Sequence, residues 1–174
     1  MDNLLELAHM LGSYAICGEG NVSMKDVMDD DCFWVKASGT SLDTLSKADL
    51  VACKMSGVPF DSLGLKPSIE TGFHAWLQRE FDAIKFVAHT HPPRTMEVVC
   101  SEQIHSFAEH RLFPDQVVRN GAKSCVVPYA MPGKPLLEAI KKSVTEFIEK
   151  EEYFPKLILL QNHGIIVAST SHKE

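Results

Sequence analysis

A chain of 174 residues, 45% of them hydrophobic and 23% charged, has the make-up of an ordinary globular domain. At that length folding buries about 70% of the surface the unfolded chain exposes, so disordered and coiled-coil readings are set aside. Seventeen Lys+Arg against twenty-three Asp+Glu give a net charge of −6, and the longest basic run is Lys141-Lys142, which argues against nucleic acid or an anionic membrane as the main partner. The longest apolar stretches, such as Leu157 to Leu160 and Ile165 to Ala168, fall far short of the ~20 residues of a membrane helix. The N-terminus carries acids where a secretory leader would carry bases, so the expected location is the cytoplasm. Five cysteines (Cys17, Cys32, Cys53, Cys100 and Cys125) lie far apart with no C-x-x-C pair, and are expected to be reduced and mostly buried.

The chain reads as a single domain over residues 1–174, with no repeat or long linker. Apolar residues at Leu4, Leu5, Ala8 and Leu11 predict an amphipathic helix over 2–14, closed between Gly12 and Gly18. Strands are predicted from Cys32 to Ala37 and from Asp49 to Met55, with a short loop or helix between them. Lys66-Pro67-Ser68 reads as a helix start, with Ser68 or Pro67 in the first turn and Ile69, Phe73, Trp76, Leu77 and Phe81 on the apolar face. A strand from Ile84 to His91 stops at Pro92-Pro93, and a helical pattern follows from Thr95 to Cys100. A strand over 124–127 and a helix over 135–152 come next. Two strand pieces, 156–160 and 165–168, are separated by Gln161-Asn162-His163-Gly164. Strands mixed with helices without regular alternation predict an α/β fold with a largely antiparallel sheet.

His89-Thr90-His91 is the most informative tripeptide, because residues i and i+2 of a strand face the same way and two imidazoles can converge on one ion. An open zinc site commonly takes three protein ligands, and His163, a polar break between two apolar strands, is the best third candidate. Alone, an H-x-H pair at a strand end is as well explained by solvation. Glu70 lies four residues before His74, on one helix face. It could act as a base, although its position alone is better explained by interaction with the helix dipole, and His74 reads as structural. Gly18 to Ser23 and Ala37 to Ser41 offer backbone N–H groups and hydroxyls to a phosphate. Both segments have equally the composition of plain turns; Ser68 at a helix N-terminus could join them.

Taken in order, GNVS, ASGT, KPSIETGFH, HTH and QNHG closely resemble the class II aldolase/adducin family, over about residues 5–170. The resemblance implies a three-layer fold, a central and mainly antiparallel sheet flanked by helices. It implies one Zn2+ per chain, or another divalent metal, held by His89, His91 and His163, with Glu70 as the catalytic acid. It assigns a substrate phosphate to Gly20, Asn21, Ser38, Gly39 and Ser68. The expected activity is that of an aldolase cleaving a phosphorylated ketose to dihydroxyacetone phosphate and an aldehyde, in a homotetramer with sites between subunits. Ile69 departs from the family pattern, in which a serine often precedes the acid.

The resemblance also implies a second proton donor. Asp115 or Tyr129 could serve, since the segment Phe113-Pro114-Asp115-Gln116 holds no tyrosine. Within the family the alternatives are a pentulose-phosphate 4-epimerase, which carries Asp where Glu70 stands, and a methylthio-pentulose-phosphate dehydratase with the same histidines. Outside enzymology, an adducin-like interaction module would lack the three histidines. A Schiff-base mechanism would use Lys36 or Lys66. Family members usually continue through another helix beyond the position of Glu174, so a shortened C-terminus is expected.

Overall fold

The computed structural model describes residues 1–16, 19–60 and 64–173. Cys17 and Gly18 lie outside the described residues, the latter with its expected part in the first phosphate-binding segment. The chain runs through α1 (Asp2–Gly12), β1 (Asn21–Lys25), β2 (Cys32–Lys36), β3 (Leu50–Lys54), α2 (Thr71–Glu80), β4 (Phe86–Thr90) and α3 (Pro93–Val99). It continues through α4 (Ile104–Glu109), α5 (Pro114–Asn120), β5 (Cys125–Val127), α6 (Lys134–Glu151), β6 (Leu157–Leu160) and β7 (Gly164–Ser169).

The strands form one seven-stranded sheet in the order β3-β2-β1-β4-β7-β6-β5, antiparallel throughout except for the parallel β5–β6 pair at one edge. The sheet is therefore mixed and mostly antiparallel, and strand alternation divides its side chains between two helix layers. On one face Val87, Ile158, Leu160, Ile166 and Ala168 pack against Phe73, Trp76 and Leu77 of α2 and Leu136, Ile140 and Val144 of α6. On the other, Val22, Met24 and Phe86 pack against Leu4, Leu7 and Ala8 of α1, and Leu157 and Leu159 pack against Val99, Ile104 and Ala108 of α3 and α4. Helices therefore cover both faces of the sheet.

Most predicted elements are present within a few residues of their expected bounds. The second helix is a correction: it begins at Thr71, with Glu70 at the N-cap. Pro67 instead bridges to Ala37 in antiparallel fashion, and Ser38 N–H donates to Lys66 O at 2.8 Å, so residues 66–68 run extended beside the end of β2. That pairing, with Ser68 N–H also donating to Lys36 O at 3.3 Å, holds the segment out of helical geometry and delays the helix. Ile69 accordingly sits outside the helix and is 67% exposed instead of lining its apolar face. Cys32, Cys53 and Cys125 are buried and Cys100 is exposed, all four as free thiols.

Candidate active site

The site grows from one end of the two central strands. On β4, His89 points to the α2 side of the sheet, in the same sense as Val87, and lies fully buried with its ring edge against Phe73. His91 follows just past the strand end, where Pro92 and Pro93 turn the chain into α3. Asn21 of β1 is the register partner of His89. His163 belongs to the turn joining β6 to β7. That turn is pinned on both sides, by Gln161 N–H donating to Val127 O at 3.0 Å and Asn162 N–H donating to Val99 O at 2.9 Å. Asn162 carries a positive φ of 56°, a conformation asparagine tolerates.

The three histidines present ring nitrogens that all lie within 4.8 Å of one another. His89 Nδ1 lies 2.9 Å from Ile165 O, and His91 Nδ1 lies 3.0 Å from Glu19 Oε2. A carbonyl or a carboxylate can only accept, so each Nδ1 carries the proton and each Nε2 is left with its lone pair. Those two Nε2 atoms face each other at 3.0 Å, an arrangement that is repulsive unless a cation, a proton or a metal ion, is shared between them. Burial holds His89 well below the ordinary imidazole range, helped by His91 and His163, and burial followed by His91 lowers His163 as well. Neutral imidazoles are what metal ligation requires.

Glu70 closes the cluster from the helix side. Its Oε2 lies 3.5 Å from His89 Nε2 and its Oε1 lies 3.4 Å from His163 Nε2. Asn21 Nδ2 donates to Oε2 at 2.8 Å, while the buried Oε1 has no hydrogen-bond partner among the described residues. Burial raises the Glu70 carboxyl above its ordinary value, against the opposing effects of the Asn21 hydrogen bond and of His91. The side chain makes no capping hydrogen bond to α2, so stabilising the helix end does not account for it. Three convergent imidazoles and a buried carboxylate oxygen in need of a partner fit a divalent metal ion.

These residues open onto a cleft of about 430 Å³ lined by Gly20, Asn21, Ser38, Gly39, Ser68, Glu70, His91 and His163 among others. All five residues expected to hold a phosphate therefore lie in the cleft that Glu70 faces, with His89 buried behind it. Gly39 has a φ of +80° and open space where a Cβ would stand, leaving its backbone accessible. Ser38 Oγ donates to Pro67 O at 3.2 Å, and Ser68 Oγ accepts from Asn21 Nδ2 at 3.3 Å. Asn21 begins a strand and spends its amide on Glu70 and Ser68, where the sequence suggested a turn.

Lys36, which the sequence offered only as a Schiff-base lysine, also lines the cleft. It is 5% exposed, its Nζ donates to Ala37 O at a long 3.4 Å, and burial lowers its pKa against the pull of Asp49. Lys66 is exposed and is not among the lining residues, nor are Asp115 and Tyr129. Tyr129 is 55% exposed with its hydroxyl donating to Met131 Sδ at 3.3 Å. Sequence reasoning missed Glu19, the partner of His91. It lies inside the Gly18 to Ser23 segment, whose expected role rests on backbone N–H groups and hydroxyls and not on a carboxylate.

Two outcomes follow from this packing. A Cβ on Gly164 would lie 2.4 Å from His91 Cδ2 and 2.7 Å from Thr90 O. Gly164→Ala is therefore expected to displace the His91 ring and weaken divalent-metal binding about tenfold or more, as measured by chelator competition, at an overpacking cost of about 1–3 kcal/mol in urea unfolding. His74, fully buried, has its pKa pushed down to about 3 by desolvation. Below its ordinary value the unfolded chain takes up a proton that the folded chain refuses. Stability is thus complete above that value and falls with decreasing pH toward the depressed one, by roughly 1.4 kcal/mol per pH unit for this group. Urea unfolding of metal-free protein at neutral pH and at mildly acidic pH checks the sign.

With this geometry in view, residues 4–174 match the family model of the Class II Aldolase and Adducin N-terminal domain, and the chain belongs to that family. It is 28% identical over 157 residues to a 3-oxo-tetronate 4-phosphate decarboxylase of Haemophilus influenzae, covering 90% of this chain and 70% of that protein. A methylthioribulose-1-phosphate dehydratase of Leptospira interrogans is 35% identical over 79 residues, 41% of this chain and 31% of that protein. The crystal structure of YgbL from Klebsiella pneumoniae shares the fold with a TM-score of 0.80 at 24% identity, covering 99% of this chain and 79% of that one. The aldolase expected from sequence is thus less well supported than the other reactions of the family.

Proposed function

We propose that this protein is a zinc-dependent carbon–carbon lyase that decarboxylates a small phosphorylated 3-oxo sugar acid to dihydroxyacetone phosphate. The observation that carries this reading is the convergence of His89, His91, His163 and Glu70 at the inner end of a cleft whose outer wall is Ser38, Gly39 and Ser68. The name of the Haemophilus relative supports the choice of substrate. His89, His91 and His163 would hold the ion, and a set of three nitrogen donors suits zinc among divalent metals. When bound, it supplies a Lewis acid that polarises the substrate carbonyl.

The chain's own residues do the rest. Ser38, the Gly39 backbone and Ser68 take the phosphate, with the buried Lys36 as its nearby cation, and fix the acid's carbonyl toward the histidines. The C1–C2 bond breaks, CO2 departs, and the electron pair passes through C2 onto the C3 oxygen as an enediolate. Glu70, whose burial favours the protonated form, delivers a proton to C2, which becomes the hydroxymethyl carbon of dihydroxyacetone phosphate. Aldol cleavage would share the enediolate and its protonation by Glu70, but would also need a base to take the proton from the hydroxyl of the departing carbon as the aldehyde leaves. We place the enzyme in the cytoplasm and read it as a homo-oligomer, consistent with the exposed apolar side chains Leu112, Phe113 and Val118.

The test is a substrate panel on zinc-loaded protein: 3-oxo-tetronate 4-phosphate, ketose 1-phosphates and a methylthio-pentulose 1-phosphate. Release of CO2 and dihydroxyacetone phosphate from the acid should exceed every other turnover by about tenfold or more in kcat/KM. Aldehyde release from a ketose phosphate, with none from the acid, would return the aldolase reading. Loss of water from the methylthio sugar alone would establish the dehydratase.

A further inference from the structure

The residues that face one another between α2 and β1 are all polar and nearly all buried. Glu70, His74 and Gln78 are spaced by four along one side of the helix and its cap; Asn21 and Ser23 are spaced by two along one side of the strand. Ser23, His74 and Gln78 have no exposed surface and Asn21 has 4%. An apolar seam would seal a helix against a sheet at lower cost, since every buried polar group must find a partner.

We infer that Gln78, Ser23, His74 and Asn21 form a hydrogen-bond relay of fixed direction that orients the Glu70 carboxylate for proton transfer, making His74 and Ser23 positioning residues. The inference rests on the proton-carrying role proposed above for Glu70. Gln78 Nε2 donates to Ser23 Oγ at 2.7 Å, and Ser23 Oγ lies 2.7 Å from His74 Nδ1. His74 Nε2 bonds Asn21 Oδ1, and Asn21 Nδ2 donates to Glu70 Oε2 at 2.8 Å.

The direction follows from the end of the chain. Glu70 Oε2 accepts whether the carboxyl is ionised or carries its proton on Oε1, so Asn21 turns its NH2 to Glu70 and its carbonyl to His74. That carbonyl only accepts, so the proton of the neutral His74 ring sits on Nε2 and Nδ1 is the acceptor. Ser23 must then donate its hydroxyl proton to Nδ1 and accept from Gln78. Phe73 stacks on the His74 ring at 4.5 Å between centroids and holds its plane. The relay occupies Glu70 Oε2 and leaves Oε1, the oxygen without a hydrogen-bond partner, on the side of His163. One oxygen is anchored and the other is left for chemistry, a division that filling the core alone would not require.

The experiment uses zinc-loaded full chains of wild type, Ser23→Ala and Glu70→Gln, with dihydroxyacetone phosphate as probe. Exchange of its hydroxymethyl protons in D2O, followed by proton NMR, reports the proton transfer common to decarboxylation and aldol cleavage. Nitrogen-15 shifts of the histidine rings report the His74 tautomer without any substrate. The expected result for Ser23→Ala is an exchange rate lowered about tenfold, with KM within about twofold, one zinc retained and a shifted His74 tautomer balance. Exchange that is lost in Glu70→Gln but runs at the wild-type rate in folded Ser23→Ala overturns the relay while leaving the role of Glu70 intact. No exchange in wild type overturns the reading of the site, and the inference with it. Should Ser23→Ala fail to fold, the wild-type tautomer decides: a proton on Nε2 supports the relay, and a proton on Nδ1 overturns it.

Discussion

Glutamine in place of Glu70 is expected to lower turnover by about a thousandfold while the protein keeps its fold and its metal. A positioned general acid or base contributes about 10²–10⁴ in rate, and the amide matches the carboxylate in size but carries no transferable proton. Asn21 can still donate to the amide oxygen where it now meets Oε2, so the side chain should stay in place. The loss should therefore appear in kcat, with KM close to wild type. Metal content by mass spectrometry, kcat and KM on the same preparation test it; turnover at the wild-type rate would remove Glu70 from the chemistry.

The complementary change is His91→Ala, expected to abolish both metal retention and activity. Altering a residue that only supports a metal ligand costs about 10–100-fold in affinity, so deleting one of three ligands should cost more than a hundredfold. His91 suits the test better than His89, because its side chain is partly exposed at 14% whereas that of His89 is fully buried. Truncation at His89 would add a core cavity to the loss of a ligand. Zinc retained through dialysis by the untagged variant, or activity resistant to a chelator, would contradict the assignment.

Much of this arrangement was legible because it depends on local spacing. Strand parity joined His89 to His91, helical spacing joined Glu70 to His74, and the polar interruption between two apolar strands singled out His163. What escaped has physical reasons. Strand β1 reads as a loop because Asn21 and Ser23, at its inward positions, are polar and pay for burial through the helix opposite. Helix α5 contributes no buried residue and α4 has only six residues, so neither projects an apolar stripe long enough to register. His74 passed for core filling because a helix face records which residues align but not which strand they meet. The aldehyde expected from sequence as the departing fragment left decarboxylation unweighed, because loss of CO2 and loss of an aldehyde would draw on the same histidines and the same carboxylate.

The pairing of β4 with β7 has a kinetic consequence. It brings His163 to the other two histidines, and it is the same pairing that lets His89 Nδ1 reach Ile165 O, 76 residues further along the chain. Contacts of that sequence separation close late, because loop entropy is paid before they bring any return. No collapsed intermediate that lacks β7 can offer three ligands to one ion. Zinc added during refolding should thus leave the rate of acquiring structure nearly unchanged, while slowing escape from the native state in proportion to the affinity gained. The ion then acts as a latch on a door that the backbone has already shut.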